Sequence, residues 1–247
     1  MESFRYGAVV IVAIELPGPV AQLLNFIGIP WINVNEDKVR EFATHTRQFA
    51  QDISDAHGDA EATLKKLGSG YEGAAYESLM RMWGGRSSSH VKELTEACHV
   101  LATALDAGAD FIEGQKIFCI GELAVMAASF IADQAAAVAT AGIAEAALPA
   151  IEEGATKLVQ YTEQQVEQYI IGEITNAAMQ PLTEKIENMV VGLVIPEGGG
   201  TAEKGSGFKV DHAHLDAHGQ LMHDHADKVS GHVTNFASKL DALDFNS

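Results

Sequence analysis

Residues 35–67 read NEDKVREFATHTRQFAQDISDAHGDAEATLKKL, and their spacing decides the fold. Apolar or small residues recur at Val39, Phe42, Thr46, Phe49, Ile53, Ala56, Ala60, Leu64 and Leu67, in steps of three and four. Such steps keep one stripe on one side of an α-helix, so the segment reads as a helix packed along a partner. Asn35 is a good N-cap, and Glu36 and Asp37 follow where the helix dipole favours acids. Some thirty residues of helix span roughly 45 Å. The pattern stops at Gly68-Ser69-Gly70. After Tyr71-Glu72-Gly73 a helix opens at Ala74-Ala75-Tyr76, Gly84-Gly85 interrupts or ends it, and Ser87 to Ser89 offer caps for a restart. The stripe then returns at Val91, Leu94, Cys98, Leu101, Leu105, Gly108 and Ile112. Two long patterns joined by a short Gly turn predict an antiparallel helical hairpin from Asn35 to Ile112.

Composition agrees with a helical protein. The chain has 247 residues, enough to bury a sizeable core, and 47% of them are apolar but only 7% aromatic. Much of the apolar share is Ala, which favours helix over strand. Sixteen Lys and Arg stand against 34 Asp and Glu, for a formal net charge of −18. A phosphate backbone repels such a surface, and no basic patch offsets it, so nucleic acid is not an expected partner. Cys98 and Cys119 are too far apart for metal-ligand spacing. One bridge between them stays open, but both read as small buried hydrophobes.

On the N-terminal side, Ala8 to Ile14 is apolar but lacks a cleavage-site pattern and is too short to span a bilayer. It reads as a short strand or extended arm. A break at Pro17-Gly18-Pro19 precedes a helical patch from Val20 to Ile27 and a turn at Gly28-Ile29-Pro30-Trp31. On the C-terminal side, Ile117 to Ile151 is the most apolar stretch. Acids at Glu122, Asp133 and Glu145 favour a buried core helix there over a lipid-facing span. A further amphipathic helix runs from about Glu152 to Val191, with Pro181 as a kink site. From Pro196 to Gly207 the chain reads as a flexible linker, and a His-rich segment and tail follow to Ser247. The expected fold is therefore all-α: a long antiparallel helical hairpin extended by further Ala-rich helices, with a flexible His-rich C-terminal tail. Its parts would be an arm and short helix (1–34), a helical bundle (35–195), and a linker with tail (196–247).

No catalytic pattern is present in this reading. Gly198-Gly199-Gly200 lacks the strand, the helix and the Lys-Ser/Thr of a phosphate loop. Neither cysteine sits in a nucleophile motif, and His45, His57, His90 and His99 are scattered along helices. A non-enzymatic protein without a cofactor is expected. Six of the ten histidines fall between His212 and His232. His214 and His218 stand one helical turn apart, as do His212 and Asp216, so one face could present metal ligands. A solvated polar helix, or a segment that gains charge near pH 6 to 6.5, accounts for the same residues.

The hairpin resembles the small WXG-type proteins of the type VII (ESX) secretion system, helical hairpins with a Trp-x-Gly tip. Here the tip is Gly70-Tyr71-Glu72-Gly73-Ala74-Ala75, with Tyr71 where the family has Trp. The fuller order is similar to the WXG-like N-terminal domains of large actinobacterial secreted toxins. Glu15-Leu16-Pro17, Trp31, Asn35-Glu36-Asp37-Lys38, the tip and the Ala-rich helix after the hairpin carry that likeness, over roughly residues 15–193. It implies recognition at the tip, Gly70, Tyr71, Glu72 and Gly73, and the Trp-to-Tyr change bears on any contact that needs an indole. It also implies a Tyr-x-x-x-Asp/Glu export signal, which Tyr169-Ile170-Ile171-Gly172-Glu173 matches.

Three functional readings follow. The first is a type VII export and interaction module with a helical WXG-type partner and the secretion machinery, forming homo- or hetero-oligomers. It would be cytoplasmic before export and then secreted or surface-bound by a route that needs no signal peptide. The second is a membrane-active, pore-forming helical protein using residues 117–151. The third is a small enzyme or metal-binding protein working through the His-rich segment.

Overall fold

Asn35 caps the longest helix as its sequence position requires: its Oδ1 accepts hydrogen bonds from the amides of Asp37 and Lys38, both at 3.1 Å. The computed structural model describes residues 14–68, 71–72, 74–83, 87–139, 148–194, 209–210 and 212–245. The expected arm at Ala8 to Ile14 lies outside these apart from Ile14, as does the expected linker, Pro196 to Gly207. Helix α1 is Gly18–Ile27 and α2 is Glu36–Leu67. A two-residue strand β1 (Tyr71–Glu72) leads to α3 (Ala74–Met82), and α4 runs for 52 residues, Ser88–Ala139. Helix α5 (Leu148–Tyr169) continues as a π-helix over Ile170–Met179 and then as α6 (Gln180–Val194). Strand β2 (Lys209–Val210) and α7 (His212–Asp241) complete the chain order.

The residues group into two compact units. One comprises residues 1–41, 105–173 and 244–247, the other 42–104 and 174–243. In the first, α2 and α4 are tied in antiparallel register: Glu36 meets Lys116, and Arg40 meets Asp110 and Glu113. The core of this unit joins α1 (Val20, Leu23, Leu24) and Ile32 to α4 (Cys119, Leu123, Ala127, Phe130) and α5 (Ala155, Val159). Gly28 ends α1 in the left-handed region (φ 73°), where its amide reaches back to the Leu24 carbonyl.

In the second unit the stripe read from the sequence is the buried side of α2: Thr46, Ile53, Ala56, Ala60, Leu64 and Leu67 are all buried. Ala97, Cys98, Leu101 and Ala102 bury the matching side of α4. Both cysteines are free thiols. Burial pushes the Cys98 thiol up to about 11, which leaves it protonated and unreactive at neutral pH.

Two expectations need correction. The first concerns the burial of the apolar stretch from Ile117. That stretch continues the hairpin helix, as α4 runs on through Gly114 to Ala139, and a single helical Gly costs only about 1 kcal/mol. The acids were expected to mark a helix buried on most sides, yet α4 leaves one long apolar side in solvent. The second concerns the flexible His-rich tail. It is largely the helix α7, packed antiparallel on α2 in the second unit. Phe236 stacks on Phe49 (4.6 Å between centroids, 15°), His232 Nδ1 lies 3.6 Å from the Asp52 carboxylate, and His225 Nε2 lies 3.0 Å from Thr63 Oγ1. His218, His225 and His232 recur every seven residues, as do Met222, Val229 and Phe236. That repeat is a packing seam in which histidine stands at one position.

Candidate functional site

The hairpin tip is more than a turn. Tyr71 and Glu72 pair antiparallel with Val210 and Lys209, so the tip backbone is held by the segment that leads into α7. Gly70 and Gly73 lie outside the described residues. A close approach is seen at Gly68. A Cβ there would sit 2.5 Å from the Tyr76 hydroxyl, which itself donates to the Leu64 carbonyl at 3.2 Å. Tyr76 thereby satisfies one of the last carbonyls of α2. In the sequence Tyr76 looked only like the start of the next helix.

Tyr169 and Glu173 flank the change from α5 to the π-helix. The Tyr169 ring is half-buried and stacks on Phe111 of α4, 4.3 Å between centroids at 12°. Glu173 is exposed. Beside them an apolar groove of about 510 Å³ is lined by Ile32, Val34, Val166, Ile170 and Ile171, with Glu163 and Glu167 on its wall. An aromatic anchored on the body, an acid in solvent and a groove alongside form a surface that a helix could dock on. The irregular stretch begins eleven residues before Pro181 and ends two residues before it. π segments gather at functional positions because they break the regular stacking of side chains.

The least expected surface is on α4. Gly114, Gly121, Ala128 and Ala135 are all exposed and seven residues apart; Ile117, Ala124 and Ile131 repeat the same interval, and so do Phe118, Val125 and Ala132. Val125 is 67% exposed and Ile117 56%. This is the seam of a coiled coil displayed to solvent, bordered by the acids Glu122 and Asp133 and with no Lys or Arg between Lys116 and Lys157. The same helix is long and apolar enough to cross a membrane, with 22% of its most apolar window buried.

His57 stacks on Trp83 (5.4 Å, 6°), with its Nε2 3.3 Å from Ser88 Oγ and its Nδ1 3.5 Å from Ser87 Oγ. Both ring nitrogens thus face serines. Among the described residues no group of three potential ligands converges on a metal position. The side chain of His214 lies outside the description, and His218 faces an apolar pocket with Leu67, Leu79, Trp83 and Met222.

One charge pair is fully internal. Lys116 Nζ donates to Glu36 Oε2 at 2.7 Å and to the Val34 carbonyl at 2.6 Å, while Glu36 Oε1 accepts from the Ile14 amide at 2.7 Å. Burial alone raises the Glu36 pKa, but the bonds from Lys116 and Ile14 outweigh it and hold the carboxyl below its ordinary range. The pair joins residues 80 positions apart, and no sequence spacing announces it.

A family model described as a WXG100 like domain matches residues 15–155, more than half of the chain. That span takes in α1, the α2–α4 hairpin and the start of α5. Comparison with curated proteins and with solved structures returns no match.

Proposed function

The chain belongs to the WXG100-like domain family, and from that premise we propose that it works as a non-enzymatic export and docking module of a type VII pathway, held together with its partners by helix faces. The observation that carries the reading is the solvent-displayed seam on α4, a surface whose seven-residue repeat suits a partner helix. Acids along its border favour a partner with basic flanks. Tyr169 and Glu173 are the proposed export determinant, and the tip from Gly70 to Gly73 is the second candidate. On this reading the protein is folded in the cytoplasm and leaves the cell in that state, recognised through a helical surface.

Export of the tagged protein from a host with and without the type VII ATPase tests the proposal. Wild type should leave the cell only when the ATPase is present. Glu173→Gln should lower export several-fold while the melting temperature stays unchanged, because Glu173 is exposed and carries no packing. Tyr169→Phe keeps the stacking on Phe111 and should leave the fold intact. Wild-type export of both variants would remove the pair from the account.

A second reading rests on the same helix: α4 has the length and apolarity of a membrane span, so a membrane-active protein is its natural competitor. Vesicle leakage separates the two. A protein inert on anionic and neutral vesicles from pH 5 to 7.5 would end the membrane reading, and its acidic charge predicts that outcome for anionic lipid.

A further inference from the structure

In the first unit, the groove beside Tyr169 has Val34, Ile170 and Ile171 as its accessible apolar wall, and Ile171 is 51% exposed. It follows the helix from Glu163 to Ile171, a length of about 12 Å. Exposed apolar grooves with polar borders mark interaction sites. Glu163 and Glu167 are exposed on the wall, so an acidic occupant is disfavoured.

The chain that leads into Ile14 starts out next to this groove. The Ile14 amide donates to Glu36 Oε1, and the ammonium of Lys116 that pairs with Glu36 also donates to the Val34 carbonyl at 2.6 Å. Ile14 is thus joined through the buried Glu36–Lys116 pair to a residue of the groove wall. Residues 1–13 lie outside the described residues, but their sequence has the character that the groove asks for. Ala8 to Ala13 is an unbroken apolar run, and Arg5 is the one charged side chain between Glu2 and Glu15. In extended form those six residues span about 20 Å, more than the length of the groove. Tethering at Ile14 holds the run at an effective concentration of millimolar order, which favours it over a free competitor. A second copy of the chain would instead bring a net charge of −18 up to an acidic wall.

We propose that the segment from Ala8 to Ala13 seats as an extended cover in the groove of its own chain, over the apolar surface beside Tyr169 and Glu173. A partner helix that docks there has to displace it, which makes the segment a built-in competitor for that surface. The competition rests on the export reading; the seating does not.

Disulfide trapping in the purified full-length protein tests the seating without any secretion step, so its failure and a failure of export are separate results. Val9→Cys, Val10→Cys, Ile11→Cys or Val12→Cys is combined in turn with Ile171→Cys in the groove. The reference partner is Gln168→Cys, exposed on the same continuous helix but outside the groove lining. The native Cys98 and Cys119 are buried and stay out of the exchange. A disulfide needs Cα atoms within about 7 Å, so the seated segment should close with position 171 roughly tenfold faster than with position 168. The fast closures should fall at alternate positions of the segment, since successive side chains of extended chain point to opposite sides. Glu167→Cys, also exposed on the wall, gives a second groove position should Ile171→Cys lower the melting temperature. Closure with the groove positions no faster than with position 168, at all four positions of the segment, would overturn the proposal. Covalent dimers in place of the internal disulfide would also overturn it, because the segment of another copy would then fill the groove.

Discussion

Replacing Leu101 by Asp should unfold the hairpin of the second unit at neutral pH. Leu101 is 2% exposed on α4, on the same side as Cys98 and Ala97, and the buried stripe of α2 belongs to the same unit. Asp removes most of a buried hydrocarbon side chain and brings in a carboxylate for which that stripe supplies no cation. Loss of the side chain alone costs about 2–5 kcal/mol, and an unpaired buried charge adds several more. The sum rivals the entire stability of an ordinary domain, about 5–15 kcal/mol. Leu101→Met, which keeps volume and polarity, should cost less than about 1.5 kcal/mol. Circular dichroism in urea measures both. An Asp variant whose midpoint stays within error of wild type would mean that the face of α4 is wrongly assigned.

The same residue shows what the sequence made legible. Leu101 was placed on the hairpin stripe by spacing alone, because the α2 and α4 patterns repeat over many turns and each turn restates the same buried side. Asn35 was legible for a similar reason: an N-cap is a local event with a local signature. What was missed depends on a partner far along the chain. The α7 seam alternates histidines with Met222, Val229 and Phe236, and histidine counts as polar until a neighbour such as Thr63 or Asp52 is known. For the site, spacing singled out Tyr169 and Glu173, but neither the stacking on Phe111 nor the π segment has a sequence signature. The solvent-facing seam of α4 was legible as apolar residues only. Periodicity shows that a stripe exists, and packing decides whether anything covers it.

The buried pair of Glu36 and Lys116 gives the other large effect, with a pH signature that a packing defect would lack. Lys116→Met deletes the cation that Glu36 faces and leaves a carboxylate, 1% exposed, with only the Ile14 amide and its own helix end for support. Breaking such a pair from one side costs about 3–5 kcal/mol, because the remaining charge is not rehydrated. Replacing both, as Lys116→Met with Glu36→Leu, should recover part of that loss. The recovery stays incomplete because the Ile14 amide and the Val34 carbonyl then lose their partners. In the wild type the folded pKa of Glu36 lies below its unfolded value, so the pair's contribution is complete above the unfolded pKa, near 4.3, and fades as pH falls through the lowered folded pKa. In the Lys116→Met protein burial acts without the ammonium and pushes that pKa up instead. The sign then reverses: acidification from pH 7 to pH 5 should stabilise the variant relative to wild type, as the carboxyl takes up a proton and ceases to be a buried charge. Unfolding followed through Trp31, which packs on the core of the same unit, reads the effect directly. A variant that loses less than about 1 kcal/mol, or whose stability relative to wild type does not change over that interval, would show that solvent reaches Glu36 and that the first unit does not depend on the pair.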